Sequence, residues 1–452
     1  MKHTHIAAAA AALALFLAAG TPAGAQSVKE MEGYFAAMLR GESATPKGKE
    51  VSTRKTQAAR AKVWKAWARA NAADLDSLWP AHAPLAEGRH SAWRLPAEAA
   101  PVTVMPFYHG TKGSKPEAGY PLFLYLHGSG PKEAEWKTGL TLAQRFADAP
   151  SAYLIPQIPN EGPWYRWYQR AKQAAWECML RLALLDPAVD PSRLYVFGIS
   201  EGGYGSQRLA SFYADYWAAA GPMAGGEPLQ NAPAENLSHT PLSLLTGQLD
   251  NGFYREKLTR YTRTALDSLA ALCPGRYTHR VELQPGRGHA IDYRPTTPWL
   301  SQFRREAQPL SYAWEDYEMD GRRRSGFYNI EVLSRHDSTV RQRYDVECDT
   351  TLNAVRITVR DVRYTVTERD SVYGIALKFA RAYTPAAGVR LRVYLSERLA
   401  HLSRPVRVYL NGRLAYEGVL RPDTRAMQRS VALFHDPLRV FPAAVEVSTD
   451  GL

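Results

Sequence analysis

The chain has 452 residues, of which 45% are apolar and 11% aromatic, which excludes a single small domain and a disordered or collagen-like protein. Three scattered cysteines are too few for a disulfide scaffold or a structural zinc site. The net charge of +12 is spread along the chain, and the arginines of the last third alternate with apolar residues, as in 389–393. That alternation is typical of half-buried strands, so we expect no nucleic-acid partner.

Residues 1–25 have the pattern of a secretory signal peptide. Lys2 precedes an apolar run over 6–20, and the small residues 23–25 form a cleavage site before Gln26. The sequence therefore predicts export to the periplasm or the exterior after cleavage near Ala25. The run is shorter than the ~20 residues of a membrane-spanning helix and no later segment is longer, so we expect no membrane span.

Residues 26–97 have helical periodicity, with Met31, Phe35 and Met38 at helix spacing, and are predicted to form an N-terminal helical segment. From 98 to 309, apolar runs alternate with amphipathic segments, which predicts an α/β domain with a doubly wound, mostly parallel sheet. The predicted strands are 122–126, 152–155, 194–197, 217–220, 242–246 and 279–283.

Residues 310–452 consist of short alternating segments, which predict a C-terminal, all-β, sandwich-like module. Its predicted strands are 355–359, 389–395, 406–410, 415–420, 431–434 and 445–447. Asn411 and Gly412 lie between two of them and predict a two-residue hairpin, because both turn positions favour a positive φ.

A G-x-S-x-G sequence, formed by Gly198, Ser200 and Gly202, directly follows a predicted buried strand and precedes a helical pattern. This is the context of a nucleophile elbow, in which a serine lies on a sharp strand-to-helix turn. By itself the pattern also occurs in ordinary glycine-rich turns. The strand before it and the helix after it favour Ser200 as a nucleophile.

A serine nucleophile needs a base, and the base needs an acid to orient it. Asp250 follows the predicted strand 242–246, and His289 follows the strand 279–283 in a Gly-Arg-Gly-His turn, so both fall on loops at strand carboxyl ends. Asp292 is disfavoured as the acid because it comes after the histidine. His239 is disfavoured as the base because it lies on a loop before a strand, and His279 is disfavoured because it lies at the start of a strand; both are at the wrong end of the sheet.

The sequence His-Gly-Ser-Gly at 127–130 follows an early predicted strand. Its loop can direct a backbone N–H at a tetrahedral oxyanion, together with the residue after the nucleophile. The predicted donors are the N–H groups of Ser129 and Glu201. The Glu201 carboxylate is expected to point away, since a negative charge at the oxyanion would oppose catalysis.

An aromatic cluster follows the strand 152–155 and is expected at the same edge of the sheet. Trp164, Tyr165 and Trp167 are predicted to bind substrate, by stacking on a sugar or on an aromatic acyl group. Packing is the competing interpretation of such a cluster.

These four motifs, at 127–130, 198–203, 246–250 and 286–289, resemble those of the α/β-hydrolase superfamily over residues 98–309. Within it the chain resembles secreted feruloyl and acetyl-xylan esterases, polyhydroxybutyrate depolymerases and the catalytic domain of prolyl oligopeptidases. The resemblance implies the α/β-hydrolase fold and a Ser200–His289–Asp250 triad. It does not cover the N-terminal helices or the β module.

The predicted function is an exported serine hydrolase that needs no metal or other cofactor and acts on a small-molecule or carbohydrate ester. A peptidase related to prolyl oligopeptidase is the main alternative, but the N-terminal segment is too short for the β-propeller that usually accompanies that domain. A glycan-binding protein with a vestigial hydrolase domain is a third possibility.

Overall fold

A computed structural model describes residues 26–450, so the predicted signal peptide lies outside the described residues. The N-terminal segment forms α1 (Val28–Leu39), α2 (Thr56–Ala70) and α3 (Ala72–Leu78). A capping box fixes the start of α1, because Ser27 and Glu30 exchange side-chain and backbone hydrogen bonds. Among the described residues, no helix is both long and apolar enough to cross a membrane.

The central feature is an eight-stranded sheet of order β1-β2-β4-β3-β5-β6-β7-β8. Its strands are β1 (His90–Arg94), β2 (Val104–Lys112), β3 (Tyr120–Leu126), β4 (Ser151–Pro156), β5 (Val189–Ile199), β6 (Ala219–Met223), β7 (Leu242–Gly247) and β8 (His279–Gln284). The strands β3 to β8 are mutually parallel, and β2 joins β1 and β4 in antiparallel pairing. All six strands predicted for this region are present, with the fourth shifted two residues along the chain. The sheet also extends to β1, before the predicted domain start at 98.

Helices cover both faces of this sheet. They are α4 (Lys132–Arg145), α5 (Arg170–Ala183), α6 (Glu201–Phe212), α7 (Arg255–Leu272) and the short α8 (Thr296–Leu300). Alternate side chains of β3 point to opposite faces of the sheet. On one face, Leu122, Leu124 and Leu126 pack with residues of α5, α6 and α7. Phe123 and Tyr125 pack on the other face with residues of α4 and α8. This strand order with two-sided helix packing is the predicted α/β-hydrolase fold.

The C-terminal module contains two sheets. Its strands are β9 (Ser311–Asp316), β10 (Gly326–Phe327), β11 (Ile330–Ser334), β12 (Arg341–Asp349), β13 (Ala354–Arg369), β14 (Ala376–Pro385), β15 (Arg390–Leu395), β16 (Pro405–Leu410), β17 (Arg413–Val419) and β18 (Ala443–Ser448). One sheet has the order β10-β11-β15-β18, and the other has the order β17-β16-β13-β12-β9 with β14 paired to β13. Trp314 and Phe327, one from each sheet, stack at 5.2 Å. The predicted sandwich-like module is therefore present, and Asn411 and Gly412 form its hairpin turn with positive φ.

The prediction of a strand at 431–434 was wrong, because these residues end a helix, α9 (Thr424–Phe434). Asp423 caps this helix by accepting a hydrogen bond from the N–H of Arg425. Its apolar face, including Met427 and Val431, packs against α1 and α2. A four-residue apolar run fits a strand or a helix equally well, and here the contact with the N-terminal helices decides.

A buried ionic cluster joins the α/β region to the C-terminal module. Asp436 accepts hydrogen bonds from Arg305 and from Arg439, each at 2.6 Å, and Asp215 pairs with Arg439 and Arg324. Burial raises the pKa of Asp436, but Arg305 and Arg439 outweigh it and lower the pKa to about 2. Both carboxylates are thus held ionised and paired inside the protein, and the two regions share one core. All three cysteines are unpaired.

Candidate active site

Ser200 lies on the sharp turn between β5 and α6, with φ 58° and ψ −113°. A non-glycine residue in this conformation is strained by about 1–3 kcal/mol, and such strain is characteristic of functional sites. The turn also needs a glycine at 202, because a Cβ there would lie 1.9 Å from the carbonyl oxygen of Leu126. The Ser200 N–H donates to Met223 O at 2.9 Å, which ties the turn to β6.

The structure brings the three predicted catalytic side chains together. His289 Nε2 lies 3.0 Å from Ser200 Oγ, and His289 Nδ1 lies 2.7 Å from Asp250 Oδ2. The Asp250 side chain is 2% exposed, whereas the His289 side chain is 46% exposed. A carboxylate, an imidazole and a hydroxyl therefore form a continuous chain of hydrogen bonds that runs from the interior to solvent.

Close contact between two loops sets the distance from Asp250 to His289. The loop after β7 packs on the loop after β8, where a Cβ on Gly247 would lie 1.9 Å from Gly288 O. The N–H of Leu249 donates to Arg287 O at 2.8 Å across the same contact. A side chain larger than hydrogen at position 247 would push the histidine loop away from the carboxylate.

Arg255 is a site residue that the sequence reading missed. Its Nε lies 2.9 Å from both carboxylate oxygens of Asp250, and its Nη1 donates to Tyr204 Oη at 3.3 Å. Burial raises the pKa of Asp250, but the hydrogen bonds from Arg255 and His289 outweigh it and keep the pKa below its usual value. Asp250 is therefore ionised at neutral pH, as required to orient an imidazole and to stabilise imidazolium.

The predicted oxyanion donors, Ser129 and Glu201, both line a cavity that contains Ser200. Glu201 is the first residue of α6, so its N–H has no acceptor within the helix. Ser129 is exposed in the loop after β3 and lines the same two cavities as Ser200. Both residues thus line the same cavity as Ser200, where their N–H groups are predicted to face an oxyanion.

His127 lies at the start of that loop, is buried, and stabilises the loop through its hydrogen bonds. Its Nε2 accepts a hydrogen bond from Ile158 N–H at 3.1 Å, so its Nδ1 carries the proton and donates to Gly128 O at 2.7 Å. Burial outweighs this second hydrogen bond and lowers the pKa of His127 to about 4. The imidazole is therefore neutral at pH 7 and holds the loop that carries Ser129.

Two of the three aromatic residues predicted to bind substrate are buried instead. Tyr165 donates its hydroxyl to Gly128 O at 2.9 Å, and Trp167 donates its Nε1–H to His127 O at 3.0 Å. They are 6% and 0% exposed, so neither offers a ring face to a ligand. The competing interpretation, packing, describes them better, and both hydrogen bonds hold the loop that carries Ser129. Trp164 is exposed but lies outside the lining of the two cavities beside Ser200.

Those two cavities meet at Ser129 and Ser200. One, of about 420 Å³, is lined on the far side by Glu135, Tyr293 and His289. The other, of about 380 Å³, contains both charged and apolar side chains, and its lining includes Arg166, Tyr168, Glu201, Tyr204, Arg208, Glu227, Pro228, Asn231, Phe253, Arg255, Leu258 and Ile375. Ile375 belongs to the C-terminal module, which therefore contributes directly to the wall of this second cavity. An ester whose carbonyl lies at Ser200 can extend one substituent into each cavity.

Glu201 has an environment that its position in the motif did not predict. Its side chain lines the second cavity, and burial raises the pKa of its carboxyl to about 7, although Arg166 opposes the shift.

Asp292, the disfavoured alternative acid, instead binds Arg294 and contacts Gln284. No group of three or more potential metal-ligating side chains is found within residues 26–450.

No protein-family model matches the sequence. A search of curated proteins finds no significant match. Similar solved structures include a thermostable esterase, which has 20% identity and a TM-score of 0.38 over 48% of this chain and 62% of that one. The match thus spans less than two thirds of that esterase. A ferulic acid esterase from Anaeromyces mucronatus has 13% identity and a TM-score of 0.35, over 48% of this chain and 91% of its own. An acetyl xylan esterase from Aspergillus awamori has 12% identity and a TM-score of 0.34, over 45% of this chain and 95% of its own. At these values the fold is assigned from this chain's own strand order and helix placement.

Proposed function

We propose that the protein is a serine hydrolase that cleaves carboxylic esters through Ser200, His289 and Asp250. The observation that carries this proposal is the hydrogen-bonded series from Asp250 Oδ2 through His289 to Ser200 Oγ, at 2.7 and 3.0 Å, beside two solvent-open cavities. These distances allow proton transfer between hydroxyl and imidazole.

The reaction proceeds in two steps. Ser200 Oγ attacks the ester carbonyl carbon while His289 Nε2 accepts the hydroxyl proton, and the oxyanion faces the N–H groups of Ser129 and Glu201. The bond to the alcohol oxygen then breaks, and His289 returns the proton to the departing alcohol. Water attacks the acyl-enzyme with His289 as the base, which releases the carboxylic acid and restores the serine. Asp250 stays ionised throughout and stabilises the imidazolium.

Several features favour an ester over a peptide as the substrate. The segment before the sheet contains three helices in the described residues, and a β-propeller cannot be made from it. The second cavity, which contains charged side chains beside apolar ones, is suited to a hydroxylated or carbohydrate-like substituent. Export is proposed from the signal-peptide pattern of residues 1–25.

Hydrolysis of 4-nitrophenyl acetate, acetylated and feruloylated sugars and proline-containing peptides tests this proposal. We expect ester cleavage by the intact protein and a fall of at least about 10⁴-fold in kcat for Ser200→Ala. Asp292→Asn is the matched control, because that carboxylate lies near His289 in sequence but binds Arg294. Unchanged ester turnover in Ser200→Ala, or cleavage of peptides alone, would contradict the proposal.

A further inference from the structure

The Glu201 carboxylate is buried beside the nucleophile without a full set of partners. Glu201 is 7% exposed, and its Oε1 has no hydrogen-bond partner among residues 26–450. Its Oε2 lies 3.5 Å from Nη1 of Arg166, whose side chain is itself 45% exposed. A buried carboxylate oxygen without a partner destabilises the folded state, so its presence next to Ser200 indicates a function.

The position of this carboxylate is suited to contact with substrate. Glu201 follows Ser200 directly, and its side chain lines the cavity of about 380 Å³ that also contains Ser200, Tyr204 and Asn231. A group bound there lies next to the carbonyl under attack. The Glu201 N–H and the Glu201 carboxylate therefore have separate tasks, the first at the oxyanion and the second inside the cavity.

The charges around the cavity restrict the kind of group that Glu201 can bind. Arg208 is paired with Glu227 at 2.7 Å, and Arg255 is paired with Asp250, so these cations are already engaged. Glu201 and Arg166 have opposite charges and lie 3.5 Å apart, so attraction of a charged ligand group by one of them is offset by repulsion from the other. The feature that remains is the unpaired Glu201 Oε1, which needs a hydrogen-bond donor. A neutral hydroxyl supplies that donor without a charge of its own to desolvate.

We infer that Glu201 is a specificity-determining residue, whose carboxylate accepts a hydrogen bond from a neutral hydroxyl of the substrate next to the scissile ester. The inference rests on the proposed esterase function. It predicts selection of hydroxylated esters over the corresponding methyl ethers, because an ether oxygen has no proton to donate and leaves the carboxylate unpaired.

Two matched substrate pairs test the inference, one for each side of the ester bond. The alcohol-side pair is 2-hydroxyethyl acetate and 2-methoxyethyl acetate. The acyl-side pair is methyl 3-hydroxybutanoate and methyl 3-methoxybutanoate. At pH 8.5, where the Glu201 carboxyl is ionised in the unaltered protein, we expect kcat/KM for the hydroxyl ester to exceed that for its methyl ether by about tenfold or more in at least one pair, as for a hydrogen bond to a charged group.

The same ratio is then measured in variants. It should fall to within about threefold in Glu201→Met, which fills the site without an acceptor, and to an intermediate value in Glu201→Gln. Glu135→Gln is the control, because Glu135 lines the other cavity, and it should keep the full ratio. A ratio near one in the unaltered protein, a ratio unchanged in both Glu201 variants, or an equal loss in Glu135→Gln would overturn the inference. Hydrolysis of 4-nitrophenyl acetate, abolished by Ser200→Ala, separates failure of this inference from failure of the proposed function.

Discussion

Replacing Glu201 by glutamine should change the pH dependence of stability in a defined direction. Burial raises the pKa of this carboxyl from 4.5 to about 7, against the opposing effect of Arg166, while Glu227 adds to it and Arg208 and Lys172 oppose it. The native state therefore holds the proton to a higher pH than the unfolded chain does. It follows that the free energy of unfolding of the unaltered protein decreases as the pH rises from about 4.5 to about 7.

The size of this effect follows from the two pKa values. Above pH 7, where the carboxyl is ionised in both the native and the unfolded protein, its burial lowers the free energy of unfolding by about 3 kcal/mol. At pH 5 the native carboxyl is still protonated, and the loss is less than about 1 kcal/mol. Glutamine has the same shape and no charge to desolvate. The free energy of unfolding of Glu201→Gln, measured relative to that of the unaltered protein, should therefore increase by about 2 to 3 kcal/mol from pH 5 to pH 8. Urea unfolding of both proteins at several pH values measures this difference.

A neighbouring carboxylate supplies a control of opposite sign. Glu227 is also buried, but it accepts a hydrogen bond from Arg208 Nε at 2.7 Å and another from Asn231. Glu227→Gln leaves the Arg208 guanidinium without its charged partner and should destabilise the protein at pH 8. If Glu201→Gln instead destabilised the protein at pH 8, or if the two proteins kept a constant difference across the pH range, our account of the Glu201 environment would be refuted.

Three further predictions concern the supports of the site. Tyr165→Phe removes the hydrogen bond to Gly128 and should lower kcat about fivefold with little change in KM, measured by steady-state kinetics. A change in KM alone would contradict a role of Tyr165 in positioning the loop that carries Ser129. Arg255→Met removes the two-point contact with Asp250 and should lower kcat about tenfold to one hundredfold, partly restored in Arg255→Lys; unaltered kcat would exclude a positioning role. A chain without residues 310–452 loses part of the shared core and should not fold, whereas a soluble fragment with native circular dichroism would contradict this.

The proximity of Ser200, Asp250 and His289 could be anticipated because it depends on a general property of parallel sheets. The loops after β7 and β8 leave the same edge as the turn at Ser200, so order along the chain was enough to select Asp250 and His289. Six strands of the eight-stranded sheet were also predicted from residues 98–309, because apolar runs that alternate with amphipathic segments are typical of a parallel sheet covered on both faces. The apolar run at 431–434 lacks that context and belongs to α9.

Other features depend on contacts that local patterns do not contain. Trp167 is buried because it packs on α6, where a Cβ on Gly205 would lie 2.5 Å from the Trp167 side chain. Arg255 reaches back to Asp250 through a turn in which Phe253 and Tyr254 both adopt positive φ, a conformation that neither residue type signals. The burial of Glu201 likewise results from several distant segments that meet around one cavity.

Covalent labelling of the nucleophile tests the central claim most directly. The protein is treated with a fluorophosphonate, and the modified residue is identified by intact mass and peptide mapping. We predict one adduct, on Ser200, with no labelling of Ser200→Ala and strongly slowed labelling of His289→Ala. An adduct on another residue, or equal labelling of Ser200→Ala, would contradict a mechanism in which this serine attacks the substrate.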